Sequence, residues 1–470
     1  MHVVLGRAPA VQPAFLEVHD PDDDSVVGRV PSASPADVER ALATAVDGAR
    51  RSRSLPVHRR MAILNGAAAE VEARSASFAT TIAREGIKTI REARAEVGRC
   101  IETLRLSAEE SRRLHGETLA FDQRAGSEDK VGYWIRQPIG VIVAITPFND
   151  PLNLVAHKVG PAIAAGNAVI VKPHSRTPLS ALALAEAFGA AGIPDGILQV
   201  VTGRGAAIGD RLVGDPRVAM VSFTGGPEIG DQVVRLAGRK KLALELGANS
   251  PAIVLDDADV EAAAVAITSG AFWAAGQNCL HVQRIIVQRG AAEPLRRLLV
   301  ERTARLVSGP KLDEATDVGP VISDAAADRI MATIAEAVDL GGRILVGGSR
   351  RGRSIAPTLI DALPRTSRLA REEIFGPVAG IVEVASLDEA IAVANEVDQA
   401  LQACVFTRDI MAAMRVVREV DAGAVLVNES TDYRIDAMPF GGVKGSGLGR
   451  EGVPFAAREM TTTKVVCLNV

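Results

Sequence analysis

The sequence predicts an α/β fold built on doubly wound parallel sheets, and three observations carry that prediction. At 470 residues the chain is longer than one hydrophobic core sustains, so about two to three folding units are expected. Aromatic residues are only 3% of the chain while glycine reaches 43 and alanine-rich runs abound, a composition suited to helices packed tightly on Val/Ile strands. From Gly140 onward, buried-strand patterns alternate with helical ones, which calls for parallel strands joined by crossover helices.

The elements follow in order. Ser34-Pro35-Ala36-Asp37 is a helix N-cap, a proline at the first helical position and an acid in the first turn, and Val38, Leu42 and Val46 then repeat at helical spacing. From Arg59 to about Leu114 apolar residues recur at three and four, with breaks near Arg74 and Gly86, so a layer of several helices is expected. Residues 116–134 turn polar before alternation sets in at Tyr133 and Ile135; this is read as an excursion from the main body. Strands are predicted at 141–146, 168–172, 197–202 and 218–223, with helices from about Pro151 and over 177–191. A second set of strands at 252–255, 284–288, 344–346, 378–383 and 423–427 makes a second α/β unit, the division falling near Gly247.

Composition excludes several function classes. Hydrophobic residues are 47%, charged residues 23% and the net charge is -4, so neither broad disorder nor non-specific nucleic-acid binding is expected. The first residues, MHVVLGRAPAVQPAFLEVHD, lack a basic region followed by an apolar run, and nowhere do about 20 apolar residues follow one another. No membrane partner and a cytoplasmic location are expected. Cys100, Cys279, Cys404 and Cys467 show no CxxC spacing, which argues against a disulfide framework and a thiolate metal cage. With seven histidines and no HExxH, no metal site is expected.

Several polar or glycine-rich sequences fall directly after predicted strands, where open α/β sheets bind ligands. They are Thr146-Pro147-Phe148-Asn149, Lys172-Pro173, the FTGGPEIG stretch from Phe223 to Gly230, and Glu245-Leu246-Gly247. The glycine turn lets backbone approach a phosphate and opens a helix whose N–H groups favour an anion. Such a turn serves packing equally well, and it is not the GxGxxG fingerprint. Lys172 belongs to a small set, because lysines are nine of the 53 basic residues; a solvated strand end is the alternative. Cys279 lies in Gly276-Gln277-Asn278-Cys279. A lone cysteine is ordinarily an inert buried hydrophobe, and no sequence feature names a His–Asp pair to activate this one.

Taken together and in order, these sequences resemble the aldehyde dehydrogenase superfamily. PFN at 147–149, KP at 172–173, FTGGPEIG at 223–230, LELG at 244–247, GQNC at 276–279, EEIFGP at 372–377 and PFGGVKGSGLGREG at 439–452 cover nearly the whole chain, and the 34 positions from Glu245 to Cys279 match the family's spacing. The resemblance implies oxidation of a small-molecule aldehyde to its carboxylic acid with NAD or NADP. It implies a Rossmann-like cofactor-binding domain from residues 1–115 and 135–246, a catalytic domain from 247–453, and oligomerisation segments at 116–134 and 454–470 of a homodimer or homotetramer. By the same resemblance Cys279 is the nucleophile, Glu245 the base that activates water, and Asn149 the side-chain donor to the oxyanion. Thr146, Pro147, Phe148, Lys172, Ser175, Gly225, Gly226, Ile229, Leu246, Glu373 and Phe375 fall around the cofactor.

The departures from the family pattern bear on specificity. Ala248 follows LELG where a second glycine is usual, Phe148 stands where many members carry tryptophan, and Ser175 replaces a glutamate that NAD-preferring members use on the adenosine ribose. NADP should therefore be tolerated beside NAD. For the substrate, the helix after Asn149 carries Asn153 and His157 at steps of four; Arg105 on an earlier helix, Asn278 beside Cys279, and Arg434 before the PFGG motif complete a polar, cationic set. Such a lining suits a short aldehyde bearing an anionic or polar group, which arginine binds bidentately. The phosphonoacetaldehyde and lactaldehyde dehydrogenase branches are similar in this respect, although Asn278 departs from an arginine in the phosphonate-handling pattern. A neutral aliphatic or aromatic aldehyde, or a semialdehyde, is the alternative in the same reaction. A cofactor-independent thiol hydrolase would leave Lys172, Glu373 and the glycine turn without a role, and CoA-acylating relatives lack the residue that Glu245 represents.

Overall fold

The computed structural model describes residues 14–470. The first thirteen residues, where a leader was sought in the sequence, lie outside the described residues. An antiparallel hairpin of β1 (Phe15–His19) and β2 (Val26–Pro31) comes first. Four helices follow: α1 (Pro35–Ser54), α2 (Val57–Ala73), α3 (Ser75–Glu85) and α4 (Ile90–Ser111). The expected cap of α1 is a full capping box, the Ser34 hydroxyl accepting from the Asp37 N–H and the Asp37 carboxylate accepting from the Ser34 N–H. Thr89 and Glu92 open α4 in the same way. The excursion forms β3 (Glu117–Leu119) and β4 (Lys130–Pro138), paired antiparallel.

The first parallel sheet is then laid down as β5 (Val141–Ile145), α5 (Asn153–Ala164), β6 (Ala168–Lys172), α6 (Leu179–Ala190), β7 (Leu198–Val200), α7 (Gly205–Gly214), β8 (Val218–Thr224), α8 (Pro227–Ala237) and β9 (Lys241–Glu245). In space the order is β9-β8-β5-β6-β7, every pair parallel. Successive side chains of a strand point to opposite faces. Ile142 and Ala144 accordingly join the core shared with α4 and α5, while Val141 and Val143 join the one shared with α1, α7 and α8.

The second sheet is built from β10 (Ser250–Val254), α9 (Val260–Phe272), β11 (Val282–Gln288), α10 (Arg289–Ala304), α11 (Asp324–Asp339), β12 (Arg343–Val346), β13 (Thr358–Asp361), β14 (Val378–Val384), α12 (Leu387–Ala394), β15 (Gln402–Phe406), α13 (Ile410–Glu419) and β16 (Ala424–Val427). Its order is β12-β13-β14-β11-β10-β15-β16, parallel except at the β12 edge. The chain then returns to the first sheet. β17 (Gly447–Leu448) pairs antiparallel with β9, α14 (Val453–Glu459) packs on α4 and α5, and β18 (Thr461–Asn469) pairs along the whole of β4. The fold is thus α/β with two parallel sheets, each covered on both faces.

Among the elements without a sequence expectation are α7, β13 and β15. Gln402–Phe406 is buried along its whole length, so it shows none of the alternation that marks a half-exposed strand, and three glycines obscure the helical period of α7. Two helices start later than their patterns suggest. The Glu96 carboxylate accepts from the Leu152 and Asn153 N–H groups at 2.8 and 2.9 Å, and the Glu85 carboxylate accepts from those of Leu179 and Ser180 at 2.7 and 2.8 Å. Each helix begins where a distant acid satisfies its first free N–H groups. No helix among the described residues is long and apolar enough to cross a membrane.

Candidate active site

A cleft of ≈ 790 Å³ opens at the carboxyl ends of β5, β6, β8 and β9 and is closed from the opposite side by three loops of the second sheet, 273–280, 372–375 and 428–440. At one end it is lined by the turn between β8 and α8. A Cβ on Gly225 would come within 2.6 Å of the Phe223 ring, and the first turn of α8, with Gly226 at its N-cap, receives no side-chain cap. Lys172 is buried at the end of β6, its ammonium donating among the described residues only to the Pro173 carbonyl at 3.0 Å, and burial brings it down to about 8. Across the cleft Glu373 accepts from the Ala248 N–H at 3.0 Å, and burial pushes its carboxyl up to about 7. Phe148 packs edge-on against His174 at 5.3 Å and Phe375 at 5.7 Å. Phe375 holds a left-handed φ of 48°. The buried Thr146 hydroxyl has no hydrogen-bond partner among the described residues. Pro147, Ser175, Ile229 and Leu246 complete the sequence-predicted residues at this end, all of them lining the cleft.

Cys279, Glu245 and Asn149 line the same cleft. Cys279 is reached through a left-handed turn at Ala274, Ala275 and Gly276, with φ of 52°, 53° and 63°. A Cβ on Gly276 would lie 2.1 Å from the Gly376 carbonyl oxygen. Burial pushes the Cys279 thiol up and Arg434 pulls it back, while Glu373, Glu245 and Asp150 add to the rise. Glu245 ends β9, buried, and among the described residues neither of its carboxylate oxygens accepts a hydrogen bond. Its carboxyl is held well above the usual range by burial and then by the nearby Glu451. Glu451, against its own burial, is kept ionised by Lys158 at 2.8 Å and Arg434 at 3.3 Å. Asn149 is buried, and its side-chain amide forms no hydrogen bond among the described residues.

The residues expected around the substrate divide. Arg434 lines the cleft, its guanidinium 3.7 Å over the Phe440 ring and its Nε buried without a hydrogen-bond partner among the described residues. Asn278 also lines it, its amide donating to the Trp273 carbonyl at 3.2 Å and its carbonyl oxygen accepting from the Leu280 N–H at 2.8 Å. Arg105, Asn153 and His157 do not line it, and those three expectations are corrected. Arg105 lies on the outer face of α4, paired at 2.6 Å with Glu72 of α2, both half-exposed; the arginine α4 brings to the cleft is Arg99. Asn153 and His157 are fully buried and turned towards Asp436, at 3.4 and 2.8 Å, and Arg99 reaches the same carboxylate at 2.7 Å. Their role is to grip the 428–440 loop. Burial pushes the His157 imidazole down, and His157 and Arg99 hold Asp436 ionised against burial.

Sequence reading also missed cleft residues: Arg99, Asp150, Trp273, Asp432, Phe440 and Glu451. One pattern could have found the first. Lys88, Glu92, Glu96 and Arg99 recur at four, four and three, one stripe along α4 and its N-terminal approach, yet the Glu92 and Glu96 side chains are buried. Glu92 accepts from the Ala274 N–H at 2.7 Å, behind Cys279. Lys88 pairs with Glu96 at 2.9 Å and with Asp150, beside Asn149. Among the described residues no group of three or more His, Cys, Asp or Glu is placed to hold a metal ion.

The family model described as "Aldehyde dehydrogenase family" matches residues 9–466. Aspartate-semialdehyde dehydrogenase 1 of Pseudomonas canavaninivorans is 47% identical over 463 residues, covering 98% of each chain. The 3-sulfolactaldehyde dehydrogenase of Priestia megaterium is 42% identical over 455 residues, 97% of this chain and 95% of its own. Among solved structures, the NADP-dependent glyceraldehyde-3-phosphate dehydrogenase from Bacillus halodurans C-125, complexed with NADP, superposes with a TM-score of 0.95 at 38% identity, covering 97% of this chain and 96% of that one.

Proposed function

The chain belongs to the aldehyde dehydrogenase family and is an NAD(P)-dependent aldehyde dehydrogenase, and on that premise we propose that Cys279, Glu245 and Asn149 carry its chemistry. The observation that carries the proposal is the buried Glu245 carboxylate, without a hydrogen-bond partner, in one cleft with Cys279 and the Asn149 amide. Glu245 takes the thiol proton that burial would otherwise keep on Cys279. The thiolate adds to the aldehyde carbon, and the oxygen that becomes anionic accepts from the Asn149 amide and the Cys279 N–H. The bound nicotinamide supplies the hydride acceptor. With the hydride gone, Cys279 holds a thioester; Glu245, having passed the thiol proton on to solvent, accepts a proton from the water that attacks the thioester and returns it to the leaving Cys279 sulfur, so that the carboxylic acid and the thiol are released.

The cleft fits a dinucleotide by the features that await one: the glycine turn before the uncapped α8, the Thr146 hydroxyl without a partner, and Lys172 opposite Glu373. Lys172 and Glu373 would hold ribose hydroxyls, Phe375 and Phe148 the nicotinamide end, and Gly225, Gly226 and Ile229 the pyrophosphate turn. Ser175 puts no carboxylate beside the adenosine ribose, which favours tolerance of NADP's extra phosphate beside NAD.

The substrate is a short aldehyde with an anionic group bound at Arg434. Support comes from the guanidinium's buried, unpartnered Nε, and from the relatives' named aldehydes, which carry a carboxylate, a sulfonate or a phosphate. Residues 1–115 and 135–246 act as the cofactor-binding domain and 247–453 as the catalytic one. The 116–134 and 454–470 segments serve a homodimer or homotetramer, supported by Val131, Tyr133, Val465 and Leu468 standing exposed on one small sheet. The four free thiols suit a reducing cytoplasm.

The test is an aldehyde panel with matched neutral and anionic members, run on wild type and Cys279→Ala. The variant should lose turnover while still binding cofactor, and faster kcat/KM for the neutral members would overturn the anionic reading.

A further inference from the structure

The turn that leads to Cys279 is strained, and it is gripped at one peptide. Ala274 and Ala275 take a left-handed φ without being glycine, a conformation that crowds any residue carrying a Cβ. Such backbone persists only where its surroundings hold it. The peptide joining Trp273 to Ala274 is held from two sides. Its N–H donates to the Glu92 carboxylate at 2.7 Å, and its carbonyl accepts from the Asn278 side-chain amide at 3.2 Å. The carbonyl oxygen of that side chain accepts in turn from the Leu280 N–H at 2.8 Å. One chain of hydrogen bonds thus starts at a buried carboxylate, crosses a peptide and an amide side chain, and ends on the peptide that follows Cys279. All its links point the same way, so they polarise one another.

The peptide before Cys279 is fixed by one end only. Its carbonyl, that of Asn278, accepts from the His281 N–H at 3.2 Å, whereas its N–H, that of Cys279, finds no acceptor among the described residues. Glu92 is also longer than its place in α4 demands. It is the third helical residue and closes the capping box with Thr89, the task that Asp37 performs at the same position of α1 with one methylene fewer. An aspartate suffices for that cap in this fold. The additional methylene lets Glu92 serve Thr89 with one oxygen and Ala274 with the other.

Resting on the reading of Cys279 as the nucleophile, we propose that Glu92 is a positioning residue of the reaction: through the 273–274 peptide and the Asn278 amide it fixes the backbone around Cys279 so that the Cys279 N–H meets the oxygen that becomes anionic. Glu92 does not itself line the cleft. Its effect reaches the oxyanion only through the backbone it holds, and Asn278, whose amide is spent on that backbone, is the second member of the same device.

Glu92→Asp is the test, because an aspartate keeps the cap, as Asp37 does, and falls short of Ala274 by one carbon–carbon bond, about 1.5 Å. With the aldehyde that wild type oxidises fastest, kcat should fall about ten- to a hundredfold while the KM for NAD or NADP stays within about twofold, the signature of a reacting group displaced by about 1 Å. Alkylation of Cys279 by iodoacetamide, followed by mass on the peptide that carries it, builds no oxyanion, so its rate should be kept. An unchanged kcat, or a kcat and an alkylation rate that fall together, overturns the proposal. If Glu92→Asp does not fold, Asn278→Leu breaks the same chain at its far end and has to show the same split between turnover and alkylation. Turnover kept by Cys279→Ala, or a wild type that oxidises no aldehyde with NAD or NADP, would instead refute the nucleophile reading beneath it.

Discussion

Glu245 enters the cleft with a carboxylate that nothing holds, and its chemistry is testable step by step. Glu245→Gln should lower the steady-state rate at least tenfold. A retained burst of reduced cofactor in stopped flow would assign Glu245 to thioester hydrolysis alone, a lost burst to thiol deprotonation as well, and an unchanged steady-state rate would refute both. Asn149→Ala should cost about 10²–10³ in kcat, the scale of one oxyanion donor. The cofactor end has its own pH signature. Lys172, at about 8, is cationic below that pH and neutral above it. If the same ammonium, three residues before Ser175, also meets the 2′-phosphate of NADP, the KM for NADP should rise relative to that for NAD between pH 7 and 9, and a flat ratio would limit Lys172 to the ribose hydroxyls. As residues of the cleft, Cys279, Glu245, Asn149 and Lys172 were legible because each sits in a motif at or just beyond the end of a strand or helix. Asn153 and His157 were misread for a physical reason: steps of four align them with Asn149 only if the helix begins there, and it begins at Asn153, where Glu96 satisfies its first N–H groups.

At the scale of elements, α4 sets the positions of three loops. Glu92 holds the turn before Cys279, Glu96 and Lys88 hold the turn after Asn149, and Arg99 holds Asp436. Glu96→Ala would leave the Lys88 ammonium to Asp150 alone and two helix N–H groups without an acceptor in the interior, a loss of about 1–3 kcal/mol for each N–H left unsatisfied. Chemical denaturation should register it, with kcat falling more than cofactor affinity; an unchanged midpoint would refute the account. The cap of α1 could be read from the sequence because Ser34 and Asp37 are three residues apart. Those of α5 and α6 could not, because their acids arrive from another helix, and a stripe of charge on α4 looks in the sequence like any solvated helix face.

For the whole molecule, alternation of strand and helix was enough to predict two parallel sheets, and it missed a strand buried on both sides at Gln402–Phe406. The small antiparallel sheet is different. β18 is its edge strand, nine residues long and carrying exposed Val465 and Leu468, and an unpaired apolar edge invites another chain. Val465→Lys should shift the enzyme towards a smaller species in light scattering, and an unaltered mass would show that subunits meet elsewhere.

Asp436 is gripped by Arg99 from α4 and by Asn153 and His157 from α5. The stretch bearing Asp432 and Arg434 is therefore not a cassette. Swapping residues 428–440 for those of another enzyme, in the hope of exchanging one aldehyde for another, would install a loop cut to fit a different pair of helices. Specificity in this protein is inherited as a set, and a working transplant has to carry Arg99, Asn153 and His157 along with the loop they hold.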